Sequence, residues 1–174
     1  MSKHPFILKL GAFLHHAPGY SREFLFEHPE IQLSDDFSIS NLDGTVVVTR
    51  SQQGILLQGN FSGELQLECA RCLKKYNHSL EWNFNELYFF NRRDTSAESL
   101  IFPDNAQIDI KRIILEEAQL DIPINPICKE DCQGLCQVCG ADLNLGDCGH
   151  EELPPQENSD KAEYSPFAEL KNLL

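Results

Sequence analysis

Basic side chains are scarce in this sequence: 14 Lys and Arg stand against 27 Asp and Glu, a formal net charge of −13. That balance argues against a protein that grips nucleic acid through an extended basic surface, because phosphate contacts need clustered Lys and Arg. Any RNA contact has to be local. The candidate patch is Arg71, Lys74 and Lys75, joined by Arg92 and Arg93, and the plainer reading of the same residues is a solvated basic face on a hairpin tip. Long apolar runs are missing too, so nothing approaches a membrane span. The short apolar stretch within Met1 to Tyr20 is interrupted by Lys9 and is followed by no small-residue cleavage pattern, which predicts a cytoplasmic protein. There is no solenoid repeat, no Gly-rich phosphate loop, no carboxylate cluster at metal spacing and no nucleophile motif. These absences leave no catalytic residue to nominate and no small-molecule substrate to expect, so the chain is not expected to be an enzyme.

What is present suits one modest domain with appendages, since the chain has 174 residues and is 41% apolar. Its first ninety residues are β-rich. Phe6, Leu8 and Leu10 alternate with polar or small neighbours, and Thr45 to Arg50 is a β-branched run entered through an expected turn at Asp43-Gly44. Gln52-Gln53-Gly54 turns the chain into an extended stretch from Ile55 to Cys69, whose Gly59 and Gly63 suggest a bulge or bend. The return strand has the clearest period: Tyr76, His78, Leu80, Trp82 and Phe84 fall on one face, and Asn77, Ser79, Glu81, Asn83 and Asn85 on the other. His78 is therefore read as a structural residue on the apolar face.

Asn91 to Gln107 reads as a surface loop ending in Pro103-Asp104-Asn105. A helix is expected near 109–121, with Asp109 as N-cap, with Ile110, Ile113, Ile114 and Ala118 on one face, and with Pro123 and Pro126 ending it. Glu116 and Glu117 are adjacent on that helix and point in different directions, so they are read as solvated rather than as an acid/base pair. From Glu151 to Tyr164 the chain is charged and carries Pro154-Pro155, as a linker would. Ser165 and Pro166 then suit the start of a short helix with Phe167, Leu170 and Leu174 as its apolar stripe, a candidate partner contact. The expected fold class is α+β: an antiparallel β-rich domain over 1–127 with one main helix, a cysteine-rich zinc-binding segment over 128–150 packed on the hairpin that carries Cys69 and Cys72, and an acidic linker with a short C-terminal helix over 151–174.

Seven cysteines in a chain expected to stay in a reducing compartment are better ligands than disulfides. They fall as Cys69-x2-Cys72, then Cys128-x3-Cys132-x3-Cys136-x2-Cys139, then Cys148 with His150 two residues on. Eight soft donors match two tetrahedral zinc sites, and sites filled by four protein ligands leave no open position for activated water, so two structural Zn2+ ions are expected. With both ions bound and every cysteine a thiolate, the net charge becomes about −16. Cys136-Gln137-Val138-Cys139-Gly140 is a strong knuckle signal, because the glycine allows a tight turn after the second sulfur. Cys69-x2-Cys72 lacks that glycine and is a weaker one. The expected partition places Cys69, Cys72, Cys128 and Cys132 on one ion and Cys136, Cys139, Cys148 and His150 on the other. The rival joins the Cys69 and Cys136 pairs as a two-knuckle ribbon, and the plainer alternative leaves some cysteines as buried free thiols.

Three strings resemble the YceD family: Cys69-Ala-Arg-Cys72-Leu; Leu120-Asp-Ile-Pro-Ile-Asn-Pro-Ile-Cys128; and Asp131-Cys-Gln-Gly-Leu-Cys136-Gln-Val-Cys-Gly-Ala-Asp-Leu-Asn144. Ser165-Pro-Phe-Ala-Glu-Leu-Lys171 is similar to the family's usual ending. Relatives of this type often close the cluster with Cys-x-Cys, whereas this chain has Cys148-Gly149-His150. The resemblance implies a factor for accumulation or processing of large-subunit ribosomal RNA, with a ribosome-assembly protein or a large-subunit precursor ribonucleoprotein as its partner. A zinc-stabilised module that touches RNA directly through Arg71, Lys74 and Lys75 is the alternative.

Overall fold

Strands whose side chains alternate between apolar and polar can bury one face only, and four long strands form the largest part of the fold. The computed structural model describes residues 5–91 and 100–150. Its elements are β1 (Ile7–Lys9), a 3-10 turn at Gly11–His15, β2 (Ser21–Ser34), β3 (Phe37–Arg50), β4 (Gly54–Glu68), β5 (Lys75–Phe89), β6 (Gln107–Asp109) and α1 (Lys111–Leu120). The long strands form an antiparallel sheet in the order β2-β3-β4-β5, and β1 pairs with β6 in a small second sheet. The described chain is thus mostly antiparallel β with a single helix. Contacts divide it into two units: one reaches Ala70 and resumes over Lys74–Cys128, and the other holds Arg71–Leu73 and continues from Lys129.

In the sheet unit the inward residues build one apolar cluster. Ile55 and Leu57 of β4, Val46 and Val48 of β3 and Leu80 of β5 have no exposed surface, and Ile110 ahead of α1 and Ile114 and Ala118 within it are buried at the same level. The helix packs against β5 and β2, so its apolar stripe faces the sheet as the 3.6-residue period requires. No polar or charged side chain is buried among the described residues. β5 keeps the expected alternation, and His78 lies half-buried with its ring edge against Tyr76.

Several local expectations are corrected. Asp43-Gly44 is no turn but the middle of β3, where Gly44 pairs with both Phe26 and Phe61; the Phe61 ring occupies the space a Cβ on residue 44 would need. The β4–β5 ladder runs without a shift through Gly59 and Gly63, and the irregularity falls instead on β3, between Ser40 and Asp43, opposite Gly63. Asp109 closes β6 and Ile110 holds the N-cap position, yet the Asp109 carboxylate accepts from the Lys111 N–H at 2.9 Å, the bond a capping side chain makes. Two residues of the expected loop after β5 are engaged by the fold. Ile101 bridges Phe89 in parallel, and Phe102 is buried. β2, fourteen residues long, has no counterpart in the sequence reading. Its inward set changes phase around Pro29, from Phe26 and His28 to Ile31 and Leu33, which breaks the period-two signal. Glu116 is engaged by Arg112 at 2.7 Å on the exposed side of α1. The stripe of Phe167, Leu170 and Leu174 lies outside the described residues, as do Arg92 and Arg93.

Candidate metal centres

The two Cys-x2-Cys pairs occupy the same kind of turn. In the turn joining β4 to β5, the Cys69 N–H donates to the Lys74 carbonyl at 2.9 Å, and Leu73, four residues after the first cysteine, has a φ of 59°. In the other, the Cys136 N–H donates to the Ala141 carbonyl at 2.8 Å, and the equivalent residue, Gly140, has a φ of 73°. Glycine adopts that left-handed conformation freely, whereas leucine there is strained by about 1–2 kcal/mol. Leu73 is 57% exposed, so burial offsets little of that strain. The knuckle without a glycine thus shares both of these backbone features with the knuckle that has one.

Each turn meets two further donors from another stretch of chain. After α1 the Pro123 and Pro126 segment turns back, and the Ala70 N–H donates to the Pro126 carbonyl at 2.7 Å, which holds the residues just ahead of Cys128 beside Ala70. The sulfurs of Cys69, Cys72, Cys128 and Cys132 all lie within 4.8 Å of one another. In the second group the sulfurs of Cys136, Cys139 and Cys148 and a ring nitrogen of His150 meet the same limit, with His150 Nδ1 at 3.4 Å from Cys148 Sγ. All eight nominated donors therefore fall into two groups of four by proximity, and neither group joins the two knuckles.

The donor chemistry of both groups fits a divalent cation. The Cys136 thiol is lowered to about 6 by the backbone N–H of Cys139 and then that of Val138, with a further hydrogen bond from Cys148. Cys148 is raised: the His150 backbone N–H pulls it down, but the hydrogen bond to Cys136, burial and the Cys139 contact outweigh it. Sulfurs this close compete for one proton, and a metal ion displaces such protons while satisfying all the sulfurs together. Near the first group, the buried Tyr76 hydroxyl has no hydrogen-bond partner among the described residues. Its pKa is raised by burial and then by the charges of Cys69 and Cys128. Four soft donors per group is the set a tetrahedral metal site requires.

The groups differ in exposure. Cys69, Cys72 and Cys132 are buried and Cys128 is half-buried, whereas in the second group only Cys136 is buried and both Cys139 and His150 are exposed. Gly134, at a φ of 74°, lets the turn after Cys132 approach the Arg71 carbonyl. The Arg71 guanidinium donates to the Cys132 carbonyl at 2.9 Å, and the Leu135 N–H donates back to the Arg71 carbonyl at 3.2 Å. Arg71, nominated from the sequence as a contact for RNA or a partner, is thus engaged within the cysteine-rich unit, while Lys74 and Lys75 are exposed. Asn144 and Tyr76 beside the ligands were not nominated. The Asp142-x-Asn144 pair between Cys139 and Cys148 was the one local signal for the first, and Tyr76 has no local signal at all.

On the solvent face of the sheet a shallow trough of about 490 Å³ is lined by Asp43, Thr45, Asn60, Ser62, Glu81 and Asn83 among others. Asp43, Ser62 and Glu81 share one register row. No arginine or lysine lines it. No described helix is long and apolar enough to cross a membrane.

Comparison with known proteins shows what the chain is similar to. The family model described as "Large ribosomal RNA subunit accumulation protein YceD" matches residues 57–174, a stretch that includes both donor groups. An uncharacterized protein of Mycobacterium tuberculosis is 28% identical over 123 residues, covering 66% of this chain and 58% of the relative. A protein of Arabidopsis thaliana named "Large ribosomal RNA subunit accumulation protein YCED homolog 1, chloroplastic" is 29% identical over 169 residues, covering 76% of this chain and 50% of the relative. The chain spans about half the length of the curated relatives it matches. No solved structure matches it.

Proposed function

This chain belongs to the YceD family, and from that premise we propose that it is a zinc-binding factor supporting accumulation or processing of large-subunit ribosomal RNA. It acts in the cytoplasm through a ribosome-assembly protein or a large-subunit precursor ribonucleoprotein. The observation that supports this reading is the pair of four-donor groups: four protein donors are enough to fill a tetrahedral shell, which suits an ion that holds structure rather than one that activates water. Zn2+ is the ion these thiolate and imidazole sets favour. Bound by Cys69, Cys72, Cys128 and Cys132, it ties the turn after β4 to the segment after α1. Bound by Cys136, Cys139, Cys148 and His150, it closes the last described loop.

Charge supports a protein partner. At −13, with Asp43 and Glu81 in one row on the solvent face of the sheet and no arginine or lysine lining the trough there, the chain repels naked RNA at separations within a Debye length of about 8 Å. Phe167, Leu170 and Leu174 are proposed as further partner contacts. The second reading, a module that touches RNA through Arg71, Lys74 and Lys75, draws on the exposure of the two lysines, though Arg71 is shared with the Cys132 turn.

Depletion of the protein should lower mature large-subunit ribosomal RNA more than small-subunit RNA, and a tagged copy should retain at least one protein partner after nuclease treatment. Lys74→Glu with Lys75→Glu should weaken that capture less than metal removal does. Loss of every partner to nuclease would transfer the case to the RNA module. Unchanged ribosomal RNA on depletion would sink both.

A further inference from the structure

Asn144 stands in the loop that joins Cys139 to Cys148, inside the span of the second donor group, yet its side chain is turned onto a donor of the first. Its Nδ2 donates to Cys132 Sγ at 3.6 Å, and its Oδ1 accepts from the Gln133 N–H at 3.0 Å. Asp142 fixes the amide: its Oδ1 accepts from the Asn144 backbone N–H at 2.9 Å and from Nδ2 at 2.6 Å. The oxygen and both Nδ2 hydrogens therefore have partners. A flipped amide would set oxygen against sulfur and nitrogen against an N–H donor, so the orientation is determined by the network. Nearby, the Leu143 N–H donates to the Gly134 carbonyl at 3.0 Å.

The loop carrying this contact runs into Cys148 and His150, whose group has two exposed members, Cys139 and His150. Competing ligands reach that group more readily than the first, where Cys69, Cys72 and Cys132 are buried. An ion there anchors the far end of the loop; without it, Asn144 has less to hold it against Cys132.

Resting on the metal-binding reading above, we propose that Asn144 is a positioning residue that couples the two metal centres: it orients and stabilises the Cys132 thiolate for the first ion while the second ion keeps its loop closed. The second centre gives up its ion first, and the first centre then holds its own more weakly. By linkage the coupling is reciprocal, so filling the first centre also tightens the second. Loss of an outer hydrogen bond to a metal ligand costs roughly 10–100-fold in metal affinity, and that range sets the expected size.

The test loads the full chain with cobalt(II), whose thiolate charge-transfer absorption reports both centres, and withdraws the metal with a chelator. The wild type should lose the ion of the three-cysteine, one-histidine centre first. Asn144→Asp keeps an oxygen for the Gln133 N–H but removes the donor to sulfur, and Asn144→Ala removes both without adding charge. Each should weaken the four-cysteine centre about ten-fold or more and shift its charge-transfer band. Cys148→Ala with His150→Ala, which disables the second centre, should weaken the first to a similar degree, and adding Asn144→Ala to it should cost little more. Asn144 variants that hold cobalt as the wild type does overturn the proposal, as does an Asn144→Ala cost that persists undiminished without the second centre. Should the variants not fold, the wild type still decides: the Asn144 side-chain amide resonances should shift when the second centre alone is emptied, and their constancy would reject coupling. A wild type that takes up no cobalt overturns the metal reading as well, whereas normal loading with indifferent Asn144 variants overturns the coupling alone.

Discussion

Between Ser21 and Phe89 the chain forms four long strands around a continuous apolar cluster. From Lys129 to His150 it forms neither helix nor strand, only turns and a single bridge between Leu135 and Asp142. The buried residues of that second stretch are Cys132, Gly134 and Cys136. One region is held by hydrophobic burial worth about 25 cal/mol per Å² of apolar surface. The other buries thiols where the first buries Leu, Ile and Phe, and on the metal-binding reading proposed above its folding free energy comes from the ions those thiols hold. The contrast shows how a chain of this size extends beyond its one core without building a second.

Metal removal tests the contrast hardest. Structural zinc contributes on the order of 10 kcal/mol in small metal domains, so chelation should open residues 128–150 to proteolysis while amide hydrogens of β3 and β4 stay protected. Equal loss of protection in both regions would erase the distinction. Leu57→Ala works from the other side. Leu57 has no exposed surface, and the cavity should cost about 2–5 kcal/mol in denaturant unfolding of the sheet. Bound zinc, measured before unfolding, should stay at the wild-type amount.

Substitutions in the two knuckles should give smaller shifts of opposite sign. Leu73→Gly relieves a left-handed leucine with φ 59° and should stabilise the loaded protein by about 1 kcal/mol, whereas Gly140→Ala should destabilise it by about 1 kcal/mol or more. Equal effects of the same sign would mean that the turns do not share a backbone requirement. The smallest effect is on reactivity alone. In metal-free protein, Cys136, lowered to about 6, should alkylate with a pH midpoint near that value, its thiolate growing as pH rises through it. Zinc should suppress the reaction.

How far the sequence could be read differs along the chain for physical reasons. β5 was legible because its ten central residues keep one phase. β2 was not, since Pro29 and the change from Phe26 and His28 to Ile31 and Leu33 place its two halves out of register with a single alternating pattern. Gly44 misled because Asp-Gly is a turn signal wherever nothing else is known. Only the position of the Phe61 ring, seventeen residues on, reveals that the missing side chain makes room for an aromatic across the strands. The α1 stripe was placed correctly and its cap to within one residue, because Asp109 is also the last residue of β6 and reaches the Lys111 N–H from there.

Thiol number and spacing, the alternation of β5 and the acidic balance are properties of the chain itself, and they sufficed to nominate eight metal donors and a β-rich fold. Which four donors share a centre is another matter, since residues 69–72 and 128–132 can meet only once β4, β5 and α1 have been laid down. The same holds for Arg71, a free cation in the sequence and a clasp on the Cys132 turn in the fold, and for Asn144, whose contact with Cys132 sulfur depends on a loop folding back. Local periodicity follows from backbone geometry and side-chain polarity at neighbouring positions. Proximity between distant positions follows from the packing of whole elements, and no short stretch of sequence carries it.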